Sequence, residues 1–269
     1  MAIRDITLGQ YYPAESVIHD LDARTKIFAV FAYLVSLFFV KSFTGFFIAA
    51  LFLFICIKLS KVPISFVTKG FKPIIFILIL TMLVNVLSGT GEPIFSWWII
   101  NITKDGIYRA FFMAIRLLLL VFGSSMLTLT TKPISLTDGL ERILKPLSVI
   151  GLPSHELAMM MSIALRFIPT LMEETDKIMK AQSARGADFE GGNLKEKAKA
   201  LLPILVPLFV AAFRIAGDLA NAMEARCYNG GVGRTRMHEM KYEKRDFIAF
   251  AIVILYFVLI INLRKFPLI

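Results

Sequence analysis

Ala181-Gln182-Ser183-Ala184-Arg185-Gly186 and Ala222-Met223-Glu224-Ala225-Arg226-Cys227 are two copies of one short pattern. Each closes a helical pattern and is followed by a glycine-bearing loop, 187–193 after the first and 229–233 after the second. Both sit in a polar, basic segment, residues 132–246, with almost wholly apolar sequence on either side. Gly186 suits the left-handed position that ends a helix, and a cation beside it gains about 0.3–1 kcal/mol from the helix dipole. A single arginine of this kind is fully explained by that gain. Two such arginines, each beside small side chains that leave the backbone bare, read as a matched pair of tips. A guanidinium there offers five donors in a rigid fork, suited to a carboxylate or to carbonyls lining a groove.

The flanking sequence fixes the class. The chain has 269 residues, 57% hydrophobic, with 24 Phe and a mean hydropathy of +0.71. Only 19% are charged, against about a quarter in a soluble domain. This is the composition of a polytopic membrane protein. The net charge of +10 is then explained by basic cytoplasmic loops rather than by nucleic acid. Two cysteines, Cys56 and Cys227, give no disulfide framework and no metal spacing. Residues 1–22 contain acidic groups and no uninterrupted apolar core, so they do not read as a cleaved signal peptide.

The apolar run 27–57 would be about 46 Å long as one helix, beyond the roughly 30 Å of hydrocarbon. Lys41-Ser42-Phe43-Thr44-Gly45 interrupts it, so it is read as a hairpin of Ile27–Val40 and Phe46–Ile57, with one tilted helix as the other option. Further spans are expected at Pro73–Leu87, Ile107–Leu129 and Phe247–Leu263. Asn85 is placed to bond a neighbouring helix. Trp97 and Trp98 suit a membrane–water interface. Arg109 can reach the surface; Arg116 lies deeper and has to face protein, water or a partner. Lys58, Lys61, Lys69 and Lys72 share a side with 132–246, and that side is expected to be cytoplasmic.

The division is therefore 1–131, a membrane domain of about four spans; 132–246, cytoplasmic; and 247–269, the last span. Between Lys132 and Asp246 three helices are expected: Ser135–Val149, a long one from about Ser154 to Ala184, and a long one from Leu194 to about Tyr228. The stretch Ala200–Phe213 is apolar but only 14 residues long, and a crossing there would put the two arginines on opposite sides. It is read as interfacial, with Arg214 and Asp218 spaced to pair. The fold class is all-α: about five transmembrane helices plus a coupling module of three helices, two of them long.

Ala184-Arg185-Gly186 and Ala225-Arg226-Cys227 carry a resemblance. The chain is similar over its whole length to the transmembrane T component of energy-coupling-factor (ECF) transporters, importers of the ATP-binding-cassette class for vitamins and metals. Cys227 departs from the family's Ala-Arg-Gly pattern and is expected to weaken the second cap. The resemblance implies that Ala184, Arg185, Gly186, Ala225, Arg226 and Cys227 engage two cassette ATPases. It also implies a membrane-embedded, substrate-binding S component as a partner. Met160, Met161, Met172 and Met179 are part of an adaptable apolar stripe that could dock interchangeable S components. No cofactor is expected in this chain, since ATP and Mg would be held by the ATPases. The sequence itself has no Gly-x-x-x-x-Gly-Lys-Ser/Thr phosphate loop. His19, His155 and His238 are scattered, and the spans hold no acid or base suited to catalysis at neutral pH. A self-contained secondary transporter or channel is the alternative, but neither an inverted repeat nor a charged midplane site is visible.

Overall fold

The computed structural model describes residues 11–69, 74–88, 93–97, 100–146, 153–187, 189, 194–230 and 241–265. The start of the expected third span at Pro73, Lys72, Trp98, the expected helix end at Val149, residues 231–233 and His238 lie outside them. The described chain is helical apart from one hairpin. Its elements are α1 (Ala23–Phe39), α2 (Phe43–Ser60), α3 (Ile64–Lys69), α4 (Ile75–Leu87), β1 (Pro93–Trp97), β2 (Ile100–Thr103), α5 (Lys104–Thr130), α6 (Pro133–Leu144), α7 (Ser154–Ala184), α8 (Leu194–Ala225) and α9 (Lys244–Lys265). The chain forms two compact units, one of residues 9–139 with 240–269, the other including 140–239.

In the first unit α5 is the central helix, packed by α1, α2, α3 and α4, while α9 lies along α1. The expected break between α1 and α2 is present, because Ser42 accepts the Gly45 N–H at 3.3 Å and caps α2. The core is built from Tyr33, Leu37, Val40, Phe46, Ala49, Leu53, Leu119, Met126, Tyr256 and Ile260. Large apolar side chains also cover the outside: Phe31, Phe47, Phe76 and Leu255 are each about two-thirds exposed or more. A helical bundle that is apolar inside and out is solvated by lipid. The strands β1 and β2 pair antiparallel. The sequence reading had no strand here; the run of β-branched and aromatic residues Pro93–Trp97 suits one.

One end of this bundle is tied together by polar contacts. The buried Lys26 ammonium donates to the Thr130 carbonyl at 2.9 Å, closing the C-terminus of α5. The Asp22 N–H donates to Asp246 Oδ1 and the Glu243 N–H to Oδ2, each at 2.9 Å. Arg245 reaches Asp20 at 3.0 Å, and Arg24 sits 3.8 Å above the Tyr242 ring. Val62, Val67 and Leu129 form a small apolar cluster beside the end of α2. The starts of α1 and α9 and the ends of α2 and α5 therefore share one face. The chain leaves this face after Thr130 and returns to it before Asp246.

Arg116 of α5 donates to the Val40 carbonyl at 3.1 Å. Its guanidinium is ringed by Phe112, Phe46 and Phe38 at 5.2–5.9 Å. The carbonyls that end α1 need a donor, and Arg116 supplies one. Asn85 does not bond a neighbouring helix; its amide donates to the Thr81 carbonyl of its own helix at 2.8 Å. Helices α4 and α5 approach closely beside it: a Cβ at Gly106 would stand 2.8 Å from the Val86 carbonyl oxygen.

Among the described residues, four helices are long and apolar enough to cross a membrane: Phe43–Ser60, Lys104–Thr130, Leu201–Ala225 and Lys244–Leu263. Ile75–Leu87 is a shorter apolar helix. The apolar length of α8 thus extends to Ala225, well beyond the stretch Ala200–Phe213 expected to be interfacial, and is enough for a crossing, while α1, at 17 residues, is short for one.

Candidate functional site: two capped arginine tips

The second unit holds α7 and α8, which run antiparallel. Gln182, near the end of α7, donates to the Pro203 carbonyl near the start of α8 at 3.3 Å. At the other end the Tyr228 hydroxyl donates to the Met159 sulfur at 3.0 Å. Between them Ile163, Phe167 and Leu171 face Ala212, Ile215, Ala216 and Leu219 across a shallow apolar crevice. Both helices continue through internal prolines, Pro169 in α7 and Pro203 and Pro207 in α8. Glu174 and Lys177 pair locally at 3.5 Å. Arg214 and Asp218 are both exposed, and among the described residues no ion pair joins them.

The two helices end in the same hydrogen-bonded closure. After α7, the Gly186 N–H donates to the Ser183 carbonyl at 2.9 Å and the Ala187 N–H to the Gln182 carbonyl at 3.0 Å. After α8, the Cys227 N–H donates to the Glu224 carbonyl at 2.9 Å and the Tyr228 N–H to the Met223 carbonyl at 3.0 Å. Both are Schellman closures, with the arginine at the cap and the next residue left-handed. Gly186 has φ +91° and Cys227 has φ +55°. The expected weakening at Cys227 takes the form of backbone strain, about 1–2 kcal/mol for an L-residue in this region; the closure itself is complete.

Ala184, Arg185 and Gly186 are exposed, as are Ala225, Arg226 and Cys227. Among the described residues no ion pair engages either guanidinium. Nothing lies within 4 Å of the position a Cβ would take at Gly186. Because the helices are antiparallel, the tips are at opposite ends of the pair. With Arg226 near the level of Met159, about 26 residues of α7 separate them, or roughly 40 Å.

The methionines divide. Met160 is exposed, whereas Met161, Met172 and Met179 are half-buried. The larger apolar surface is elsewhere: Leu201, Leu202, Leu205, Val206, Phe209, Val210 and Phe213 are all exposed, at helical spacing along one face of α8. The sequence shows this stretch as apolar; the signal for its open face is the pairwise step of four residues. Only Ala158, Ile204 and Ala211 are fully buried apolar residues among those described in the second unit.

Comparison with known proteins agrees on one assignment. A protein-family model described as "Cobalt transport protein" matches residues 14–239. An energy-coupling factor transporter transmembrane protein EcfT of Clostridium kluyveri is 57% identical over 249 residues, 92% of each chain. Those of Acidaminococcus fermentans and Bacillus subtilis are 51% and 47% identical, covering 97% and 89% of this chain and 98% and 91% of their own. A multi-pass helical membrane bundle with this level of identity along nearly its whole length belongs to the EcfT family, the transmembrane components of energy-coupling factor transporters.

Proposed function

We propose that this chain is the coupling scaffold of a vitamin or micronutrient importer, in which Arg185 and Arg226 each seat in a groove of one of two cassette ATPases. The observation that carries this reading is the pair of tips. Both arginines are exposed, both stand beside small residues, and both are held by the same backbone closure at opposite ends of one helix pair. The ATPases bind ATP and Mg; this chain binds neither and catalyses nothing.

Residues 132–246 lie on the cytoplasmic side in this reading. The chain leaves and re-enters the bundle at one face, which supports an even number of crossings in between. A crossing by α8 would require α7, its antiparallel neighbour, to cross as well. The α7 helix carries Arg166, Glu173, Glu174, Asp176 and Lys177 in its middle and later turns. Such residues cost about 2.5–3.5 kcal/mol each at the centre of a bilayer. The apolar length of α8 is therefore used at a surface.

Its exposed stripe, Leu201 to Phe213, is the face we assign to the membrane-embedded S component, with Met160 and its neighbours Met161, Met172 and Met179 as adaptable contacts. ATP-driven closure of the ATPases moves the two tips. With so few buried side chains holding α7 to α8, that movement changes how the helices cross and tilts the S component. The test is native mass spectrometry of the complex. Arg185→Ala and Arg226→Ala should each release one ATPase and leave the other; loss of both from either single variant, or of neither, would contradict the assignment. Met160→Ala with Met172→Ala should weaken S-component capture more than ATPase capture.

A further inference from the structure

A polar pocket of about 340 Å³ opens at the tied end of the first unit, lined by residues of the lead-in, α1, the end of α5 and the start of α6. That volume is at the small end of ligand sites. Three features of its wall are unexplained by the fold alone.

Thr131 is 5% exposed, and its hydroxyl has no hydrogen-bond partner. Lys26, 7% exposed, gives two of its three N–H donors to the His19 and Thr130 carbonyls and keeps one. At the α6 N-terminus the Leu136 N–H bonds to the Lys132 carbonyl, so Lys132 occupies the cap position, and a lysine side chain has no acceptor to cap with. Pro133 has no N–H, and the N–H groups of Ile134 and Ser135 are the open donors of the first turn. Ser135 lines the pocket, and Lys132 is steadied 5.9 Å above the Tyr11 ring.

The acidic and imidazole groups of the wall do not fill this role. Asp20 is bonded to Arg245 at 3.0 Å, and Glu15 is exposed. Both ring nitrogens of His19 are engaged, by Ser16 at 2.7 Å and the Tyr12 carbonyl at 3.0 Å, and burial lowers its pKa, so it is neutral. What is left in the lining is Lys26, Lys132, Thr131 and Ser135 beside the N-terminus of α6, the donor types of an anion site.

We propose that this pocket binds a phosphate group, held by Lys26, Lys132, the Thr131 hydroxyl, Ser135 and the N-terminus of α6. The phosphate comes from a phospholipid headgroup or from a free phosphate compound. The pocket lies where α1 starts and α5 ends, and apolar side chains such as Phe28 and Leu59 are exposed on α1 and on the neighbouring α2, which suits acyl chains beneath a headgroup.

The test is thermal melting of the purified full-length chain in a neutral maltoside detergent. Probes are inorganic phosphate, a short-chain phosphatidylglycerol, and a neutral diacylglycerol of the same chain length. Variants are Thr131→Val and Lys132→Gln. At a hundredfold excess over Kd the wild type should gain about 5–10 °C. Phosphatidylglycerol active with phosphate inert identifies a lipid headgroup; phosphate alone active identifies a small phosphate ligand. Either result supports the site only if Lys132→Gln weakens binding about tenfold. Thr131→Val should likewise lose most of the shift while melting no lower than wild type without ligand, since it removes an unpaired buried hydroxyl. No shift with any phosphate probe, a shift equal to that from diacylglycerol, or a shift unchanged in both variants would overturn the proposal.

Discussion

Gly186→Ala isolates what holds an arginine tip in place. Gly186 has φ +91°, and no atom lies within 4 Å of an added Cβ. The substitution therefore meets no steric neighbour, and its whole effect comes from the backbone. Holding an L-residue left-handed costs about 1–2 kcal/mol, which is roughly a 5- to 30-fold increase in local opening at 1.4 kcal/mol per decade. The groups affected are the Gly186 and Ala187 amides, which close onto Ser183 and Gln182. Hydrogen exchange followed by mass spectrometry on the last turn of α7 should show that acceleration, with α8 unchanged. The partner experiment is Cys227→Gly. It removes the same kind of strain at φ +55° but adds glycine's entropy loss of about 0.5–1 kcal/mol. Exchange at residue 227 and Tyr228 should slow by up to about tenfold. If Gly186→Ala exchanges like wild type, or Cys227→Gly accelerates exchange, then the two closures are not held as described.

Other substitutions test the membrane bundle. Arg116→Met removes the donor to the Val40 carbonyl; losing a charge-assisted bond of about 1.5–3 kcal/mol should lower the melting temperature by several degrees. Arg116→Lys should recover part of the loss. Gly106→Ala places a Cβ 2.8 Å from the Val86 carbonyl oxygen and 3.1 Å from that of Asn85. Separating α4 from α5 costs about 1–3 kcal/mol and should appear as reduced yield of folded protein in size-exclusion chromatography. Asp246→Ala removes the acceptor of two part-buried N–H groups, those of Asp22 and Glu243, at about 0.5–1.5 kcal/mol each. Limited proteolysis should then cut the lead-in, residues 11–22, faster than in wild type.

The local signals in the sequence are the ones that are legible. The α1–α2 break is announced by Ser42, whose hydroxyl caps the next helix, and the length of the apolar run forces a turn. The tips are legible because a helix end is written in adjacent residues. The shape of the second tip is not, because Cys227 alone does not reveal that closing two hydrogen bonds outweighs a strained φ. Hydropathy alone does not decide the role of α8, whose apolar stretch is long enough to cross a membrane while the α7 it pairs with carries Arg166, Glu173, Glu174, Asp176 and Lys177. The tied face is invisible in sequence, since Lys26 with Thr130 and Asp22 with Asp246 are far apart along the chain. The same holds for the pocket around Thr131, which exists only once α1, α5 and α6 meet. Asn85 satisfies its amide within its own turn, an option that a search for interhelical partners passes over.

The central claim is that two exposed arginines are the points at which separate ATPases grip this chain. The most direct measurement is co-purification of the ATPases with Arg185→Ala/Arg226→Ala, read beside ATP-driven uptake in the same membranes. Both guanidinium groups are exposed and both closures are made by backbone, so the double variant should insert and fold like wild type. It should retain neither ATPase and transport nothing above background. A double variant that carries both ATPases and transports at the wild-type rate would contradict the account.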